Sequence, residues 1–130
     1  MDLHAYRCLA AEDNELNAEI LEDILSETGI RVDLARDGGE AVDMVRRAGD
    51  HGYDIILMDI QMPRMNGYDA TRAIRDMGAW CAEVPIVAMT ANAFAEDVQA
   101  AKAAGMNEHL AKPLQLDALA RVFRHWLLRQ

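Results

Sequence analysis

The chain has 130 residues, enough for one domain with a real core and too few for two. Hydrophobic residues make up 52%, which excludes a disordered chain, and a formal charge of −9 disfavours direct binding to nucleic acid or to an anionic lipid surface. The start, MDLHAYRCLA, lacks a basic segment followed by an apolar one, and no apolar run approaches membrane-spanning length. Two cysteines make no disulfide framework, with Cys8 expected in the core and Cys81 in a loop; the setting they suggest is reduced and cytoplasmic.

Tyr6–Ala11 reads as an apolar strand that stops at Glu12-Asp13. Glu15–Thr28 follows with helical spacing; Leu16, Ile20 and Ile24, with the neighbouring Leu21 and Leu25, are expected on one inward stripe, and Gly29 suits the helix end. Arg31–Ala35 alternates in the manner of a strand, Asp37-Gly38-Gly39 turns the chain, and Glu40–Arg47 is a short helix with Ala41, Val42, Met44 and Val45 inward. Ile55-Ile56-Leu57-Met58 is an unbroken apolar run, as in a central strand covered on both faces, and it ends on Asp59. Pro63 and Asn66-Gly67 mark a loop, after which Tyr68–Met77 is helical and closed by Gly78. Pro85–Met89 is the next strand, ending at Thr90. Phe94–Ala104 is an Ala-rich helix closed by Gly105, His109–Ala111 a very short strand ending at Lys112-Pro113, and Leu116, Leu119, Val122, Phe123, Trp126 and Leu127 mark a last amphipathic helix. Five strands alternating with five helices predict an α/β fold, a parallel sheet covered on both faces through right-handed crossovers.

In such a sheet all strand ends share one edge, the edge at which ligands bind. The residues standing there are Glu12, Asp13, Asp59, Thr90 and Lys112. Taken singly, each has a plain structural explanation: Asp59 as a loop cap, Glu12-Asp13 as a helix start, Thr90 as an N-cap, Lys112 as a solvated side chain. Together they suit one chemistry. Three close carboxylates raise each other's pKa unless a cation joins them, and a hard ion with oxygen ligands such as magnesium fits. Magnesium and the Lys112 ammonium would receive phosphoryl oxygens, Thr90 would donate a hydroxyl, and Asp59 is left as the nucleophile of an aspartyl phosphate.

The segments LAAEDNELNAEIL, DIILMDIQMPRMNGYDATRAIR, VPIVAMTANAF and GMNEHLAKP resemble, as a set, the receiver domain of two-component response regulators, and the likeness spans essentially all 130 residues as a single domain. It implies a flavodoxin-like five-stranded sheet of order 2-1-3-4-5, and Asp59 as acceptor of a phosphoryl group from a phosphohistidine. It also implies Mg2+ (with Mn2+ as an alternative) held by Glu12, Asp13, Asp59 and the Gln61 backbone carbonyl. Thr90 and Lys112 would contact the phosphoryl oxygens, and Lys112–Pro113 would be a cis peptide. The partners implied are a histidine kinase or a histidine-phosphotransfer domain, with no direct contact to nucleic acid or membrane, and a monomer capable of weak dimerisation. Two positions depart from the commonest pattern: Glu12 where Asp is also frequent, and His109 where the aromatic switch residue is usually Tyr or Phe. Thr90 and His109 would move together and change a surface built from the fourth helix, fifth strand and fifth helix, about Phe94–Leu128. Gln61 and Asn92 occupy positions that tune hydrolysis.

The wording MNGYDATRAIR and MTANAFAED most resembles receivers of hybrid sensor kinases, with a free-standing regulator as the alternative. A magnesium phosphohydrolase of the haloacid-dehalogenase type is a competing class, but it needs a second Asp two residues after the nucleophile, where this chain has Gln61. An interaction module without phosphorylation is a third.

Overall fold

The computed structural model describes residues 2–91 and 95–128; Asn92, the Phe94 start expected for the fourth helix and the corner of the output surface it marks lie outside that range. The elements run β1 (Arg7–Ala11), α1 (Glu15–Ser26), β2 (Arg31–Ala35), α2 (Gly38–Ala48), β3 (Ile55–Asp59), α3 (Gly67–Asp76), a 3₁₀ turn (Ala79–Ala82), β4 (Ile86–Thr90), α4 (Ala95–Ala104), β5 (Glu108–Ala111) and α5 (Leu116–Leu127). All strand pairs are parallel and their order is β2-β1-β3-β4-β5.

Period-two alternation divides the core. Leu9, Ile56, Met58, Ile86 and Ala88 pack on one face against Val42 and Val45 of α2 and Ala70 and Ile74 of α3. Cys8, Ala10, Ile55, Leu57, Val87 and Met89 pack on the other against Leu21 and Leu25 of α1 and Leu119, Val122 and Phe123 of α5. Every residue of β3 and β4 is buried, which is why both read as unbroken apolar runs. Order and register bring the first and third strand ends together: Ala11 stands beside Met58, and Asp59 beside Met89.

Three expectations need correction. Leu16 and Ile20 of α1 are exposed, at 64% and 47%, while Ala18, Leu21 and Leu25 are buried. Successive helical residues turn by about 100°, so a helix that seats Leu21 and Leu25 on the sheet swings Leu16 and Ile20 toward solvent. Cys81 sits in the 3₁₀ turn and is buried rather than in an open loop. Asp37-Gly38-Gly39 is the start of α2 rather than a separate turn: Asp37 accepts from Glu40 N at 2.8 Å as its N-cap.

Candidate functional site

β1 ends at Ala11 and is followed by Glu12-Asp13, and Asn14 directly afterwards caps α1, its side chain accepting from Asn17 N at 2.9 Å. The helix start therefore holds the acidic pair at the sheet edge. Asp59 is the last residue of the fully buried β3 and is itself 4% exposed. The loop after it doubles back closely: Gly67 N–H donates to the Ile60 carbonyl at 2.8 Å, and a Cβ on Gly67 would collide with the Asp59 carbonyl oxygen. Only glycine lets α3 begin beneath the acid. Thr90 closes β4, and its carbonyl accepts from Lys112 N at 2.8 Å, which brings the lysine to the same edge. The Lys112–Pro113 peptide is cis.

These segments enclose a cleft of about 270 Å³ lined by Glu12, Asp13, Asp59, Gln61, Thr90 and Lys112, together with Asn14 and Asn17. Lys112 Nζ lies 2.8 Å from Glu12 Oε1 and 3.0 Å from Asp59 Oδ2. The second oxygens are also engaged: Glu12 Oε2 accepts from Asn14 N at 3.1 Å and Asp59 Oδ1 from Gln61 N at 3.3 Å. Burial pushes the Asp59 carboxyl up to about 6, with the Glu12 charge adding to the rise and Lys112 opposing it. Burial works against the Lys112 charge, but the two carboxylates outweigh it and hold its pKa above the ordinary value.

Glu12, Asp13 and Asp59 each offer an oxygen within 4.8 Å of the others. Three carboxylates less one ammonium leave two negative charges in a partly buried space, so the residues present fit a hard divalent cation in both charge and donor type. Glu12 is engaged by Lys112 and buried, whereas Asp13 is exposed and open to the cleft.

His109 is placed elsewhere. It is half-buried on β5, in register with Ala88 and not among the residues lining the cleft. Since Leu110 packs into the α1–α5 core, alternation turns His109 to the opposite face of the sheet. Asn14 and Asn17 were not singled out from the sequence; the only signal was an Asn directly after an acidic pair at a helix start.

A fold of this order with acids at two neighbouring strand ends and a lysine at the last defines a class, and comparison with known proteins gives its family. The response regulator receiver domain model matches residues 8–124, and the chain belongs to that family. It is 42% identical over 122 residues to hybrid signal transduction histidine kinase G of Dictyostelium discoideum, covering 92% of this chain and 4% of the relative. Among solved structures, the receiver domain of sensor histidine kinase PA1611 from Pseudomonas aeruginosa, with a magnesium ion coordinated in its active-site cleft, is 40% identical at a TM-score of 0.82, covering 95% of this chain and 98% of that one. A chain of the Saccharomyces cerevisiae co-crystal structure of the histidine phosphotransfer protein Ypd1 with the receiver domain of Ssk1 is 33% identical at a TM-score of 0.84, covering 93% and 88%. The chain spans less than a fifth of the length of the curated relatives it matches. It is a receiver domain of two-component phosphorelay signalling, homologous to those of hybrid histidine kinases. No helix among the described residues is long and apolar enough to cross a membrane.

Proposed function

We propose that Asp59 is the phosphoacceptor, and that residues 1–130 act as one cytoplasmic receiver domain taking a phosphoryl group from a partner's phosphohistidine. The observation that carries this is the bridging position of Lys112, 2.8 Å from Glu12 and 3.0 Å from Asp59 at the end of a buried strand. A carboxylate oxygen of Asp59 attacks phosphorus; the P–O bond forms as the P–N bond breaks, and the imidazole leaves, taking a proton from solvent. Lys112 exchanges its contact with Asp59 for a phosphoryl oxygen, and the Thr90 hydroxyl donates to another. Glu12 and Asp13, with Asp59 and the Gln61 carbonyl, would hold Mg2+ or Mn2+, which when bound offsets charge on the transferring group. Glu12, engaged by Lys112, would add its charge to that site. The domain is thus an acceptor that promotes its own phosphorylation rather than a turnover enzyme.

Docking of the donor is supported by the exposed Leu16 and Ile20. Ile20, with Leu21, Pro113 and Leu114, lines an apolar groove that also touches Glu12 and Lys112, so a helical phosphotransfer domain seated there would present its histidine to the cleft. Downstream, Thr90 and His109 would shift together and alter the α4-β5-α5 surface, selecting a form already populated. The decisive experiment is an amide-resolved titration of the monomer with beryllofluoride and Mg2+. Shifts around Asp59, Thr90 and His109 are expected, and none in an Asp59→Asn variant; an unchanged spectrum of the parent protein overturns the reading. An Ile20→Ser variant should keep parent stability within about 0.5 kcal/mol, since the residue is exposed, while phosphotransfer from a cognate donor slows.

A further inference from the structure

The loop after Asp59 is fastened at one more point, outside the cleft. Arg64 has φ 66°, the left-handed region where glycine is at ease and a side chain is strained. The position nevertheless carries an arginine, and its guanidinium reaches the end of β2. There Nη2 and Nε donate to Asp37 Oδ2 at 2.6 and 3.1 Å. Asp37 is no ordinary surface acid: its other oxygen caps α2, and its side chain is only 13% exposed. Its carboxyl is held below the usual range, first by the Glu40 N–H and then by Arg64. Beside this pair Gly38 N–H donates to the Met65 carbonyl at 3.2 Å, and a Cβ on Gly38 would collide with that oxygen.

An isolated exposed ion pair contributes little to stability. This one differs because its acceptor is already oriented by the helix start, and because it sits on a strained residue three positions after Gln61. Strained residues persist where their surroundings over-determine them. We infer that Arg64 is a positioning residue: paired with Asp37, it fixes the β3–α3 loop so that the Gln61 backbone and the Asp59 carboxylate face the cleft in the geometry a cation needs. This builds on the reading of the cleft as a metal and phosphoryl site, and acts through the loop backbone without contact to either group.

An Arg64→Gly variant removes the pair and the left-handed strain together. Its Tm should stay within about 2 °C of the parent, because relief of strain offsets the lost contact. Mg2+ half-saturation, read by amide-resolved titration, should rise about three- to tenfold, below the roughly 10–100-fold loss typical of groups hydrogen-bonded to the metal-holding residues themselves. Asp37→Asn keeps the helix cap, loses the charge and should reproduce the weakening; Arg64→Lys should recover part of it. Amide exchange at Gly38 and Gly67 should quicken in Arg64→Gly with or without metal. Unchanged Mg2+ half-saturation and unchanged exchange overturn the inference. If the parent protein itself shows no Mg2+-dependent shifts, the metal-site reading fails, and exchange at Gly38 and Gly67 still decides for or against the clamp.

Discussion

Two half-buried cations sit at opposite edges of the same sheet, and they are satisfied in opposite ways. At the C-terminal edge Lys112 is held by the carboxylates of Glu12 and Asp59. At the other edge Arg75, in the last turn of α3, donates to the Gly105 carbonyl at 3.0 and 2.8 Å, to Cys81 and Val84 carbonyls at 3.0 and 2.7 Å, and to Asn107 Oδ1 at 2.8 Å. None of these acceptors is charged, and burial pulls the guanidinium below its ordinary pKa. The planar fork matches oxygens displayed by three separate segments, so Arg75 ties the 3₁₀ turn, the approach to β4 and the turn before β5 into one joint. Fixed neutral oxygens have no reason to change partners. The Lys112 edge keeps surplus negative charge, which a cation or a phosphoryl group can relieve. Rigidity is concentrated at one rim and exchangeable contacts at the other.

The largest expected effect is at the rigid rim. Arg75→Ala takes the Arg75 donor from the Gly105, Cys81 and Val84 carbonyls, while Asn107 Oδ1 keeps Ile86 N, and should cost about 2–3 kcal/mol in urea denaturation. Arg75→Lys should recover less than half, because a point charge cannot span the fork. Mg2+ half-saturation of the cleft should not move in either variant. A loss below about 0.5 kcal/mol would show that Arg75 is a solvated surface residue and break the contrast.

The exchangeable rim predicts a gain of stability when its central carboxylate is removed. Folding raises the Asp59 carboxyl from 3.8 to about 6, chiefly through burial. A carboxyl raised by folding favours the native state while protonated, below 3.8, and that contribution is lost as pH climbs through about 6. Asp59→Asn should therefore be more stable than the parent by about 1–2 kcal/mol at neutral pH, a figure reduced for partial solvent screening, and equal to it near the acid end. Mg2+ should stabilise only the parent and narrow the difference. Thermal melts across this pH range decide it; an Asn variant less stable than the parent at neutral pH would mean that the ion pair with Lys112 outweighs burial.

The two rims were not equally legible in the sequence. Glu12-Asp13, Asp59 and Thr90 could be read because each ends an apolar run, Lys112 because it follows a very short strand, and parallel strands gather such ends. Strand order came from family resemblance, since nothing in the local pattern distinguishes one parallel neighbour from another. Arg75 was invisible: an arginine in the last turn of a helix has a sufficient explanation in the helix dipole, and its acceptors are main-chain groups that carry no residue signature. The same holds for Arg64, whose strained φ and contact with Asp37 lie 27 residues apart in sequence. The outward turn of Leu16 and Ile20 was misread because periodicity finds a stripe but not which flank of a broad stripe meets the sheet. His109 could be matched to a switch position, while its distance from the cleft depends on a β4–β5 register that spacing does not fix.

The finest test adds a charge where the contrast says none is needed. Asn107 Oδ1 accepts from both Arg75 Nη2 at 2.8 Å and Ile86 N at 2.9 Å. Asn107→Asp keeps both acceptor contacts and gives Arg75 a carboxylate. Because the guanidinium is already satisfied and the position is exposed, the gain should be only about 0.5 kcal/mol at neutral pH. The sign follows from linkage: a carboxyl lowered by a cation stabilises above its unfolded value, and the gain disappears as pH falls through its folded one. Urea denaturation at neutral and acid pH reads both limits, and no Mg2+ binding should appear at this rim. A gain above about 1.5 kcal/mol would mean that Arg75, like Lys112, calls for a carboxylate partner, and that the two edges differ in degree only.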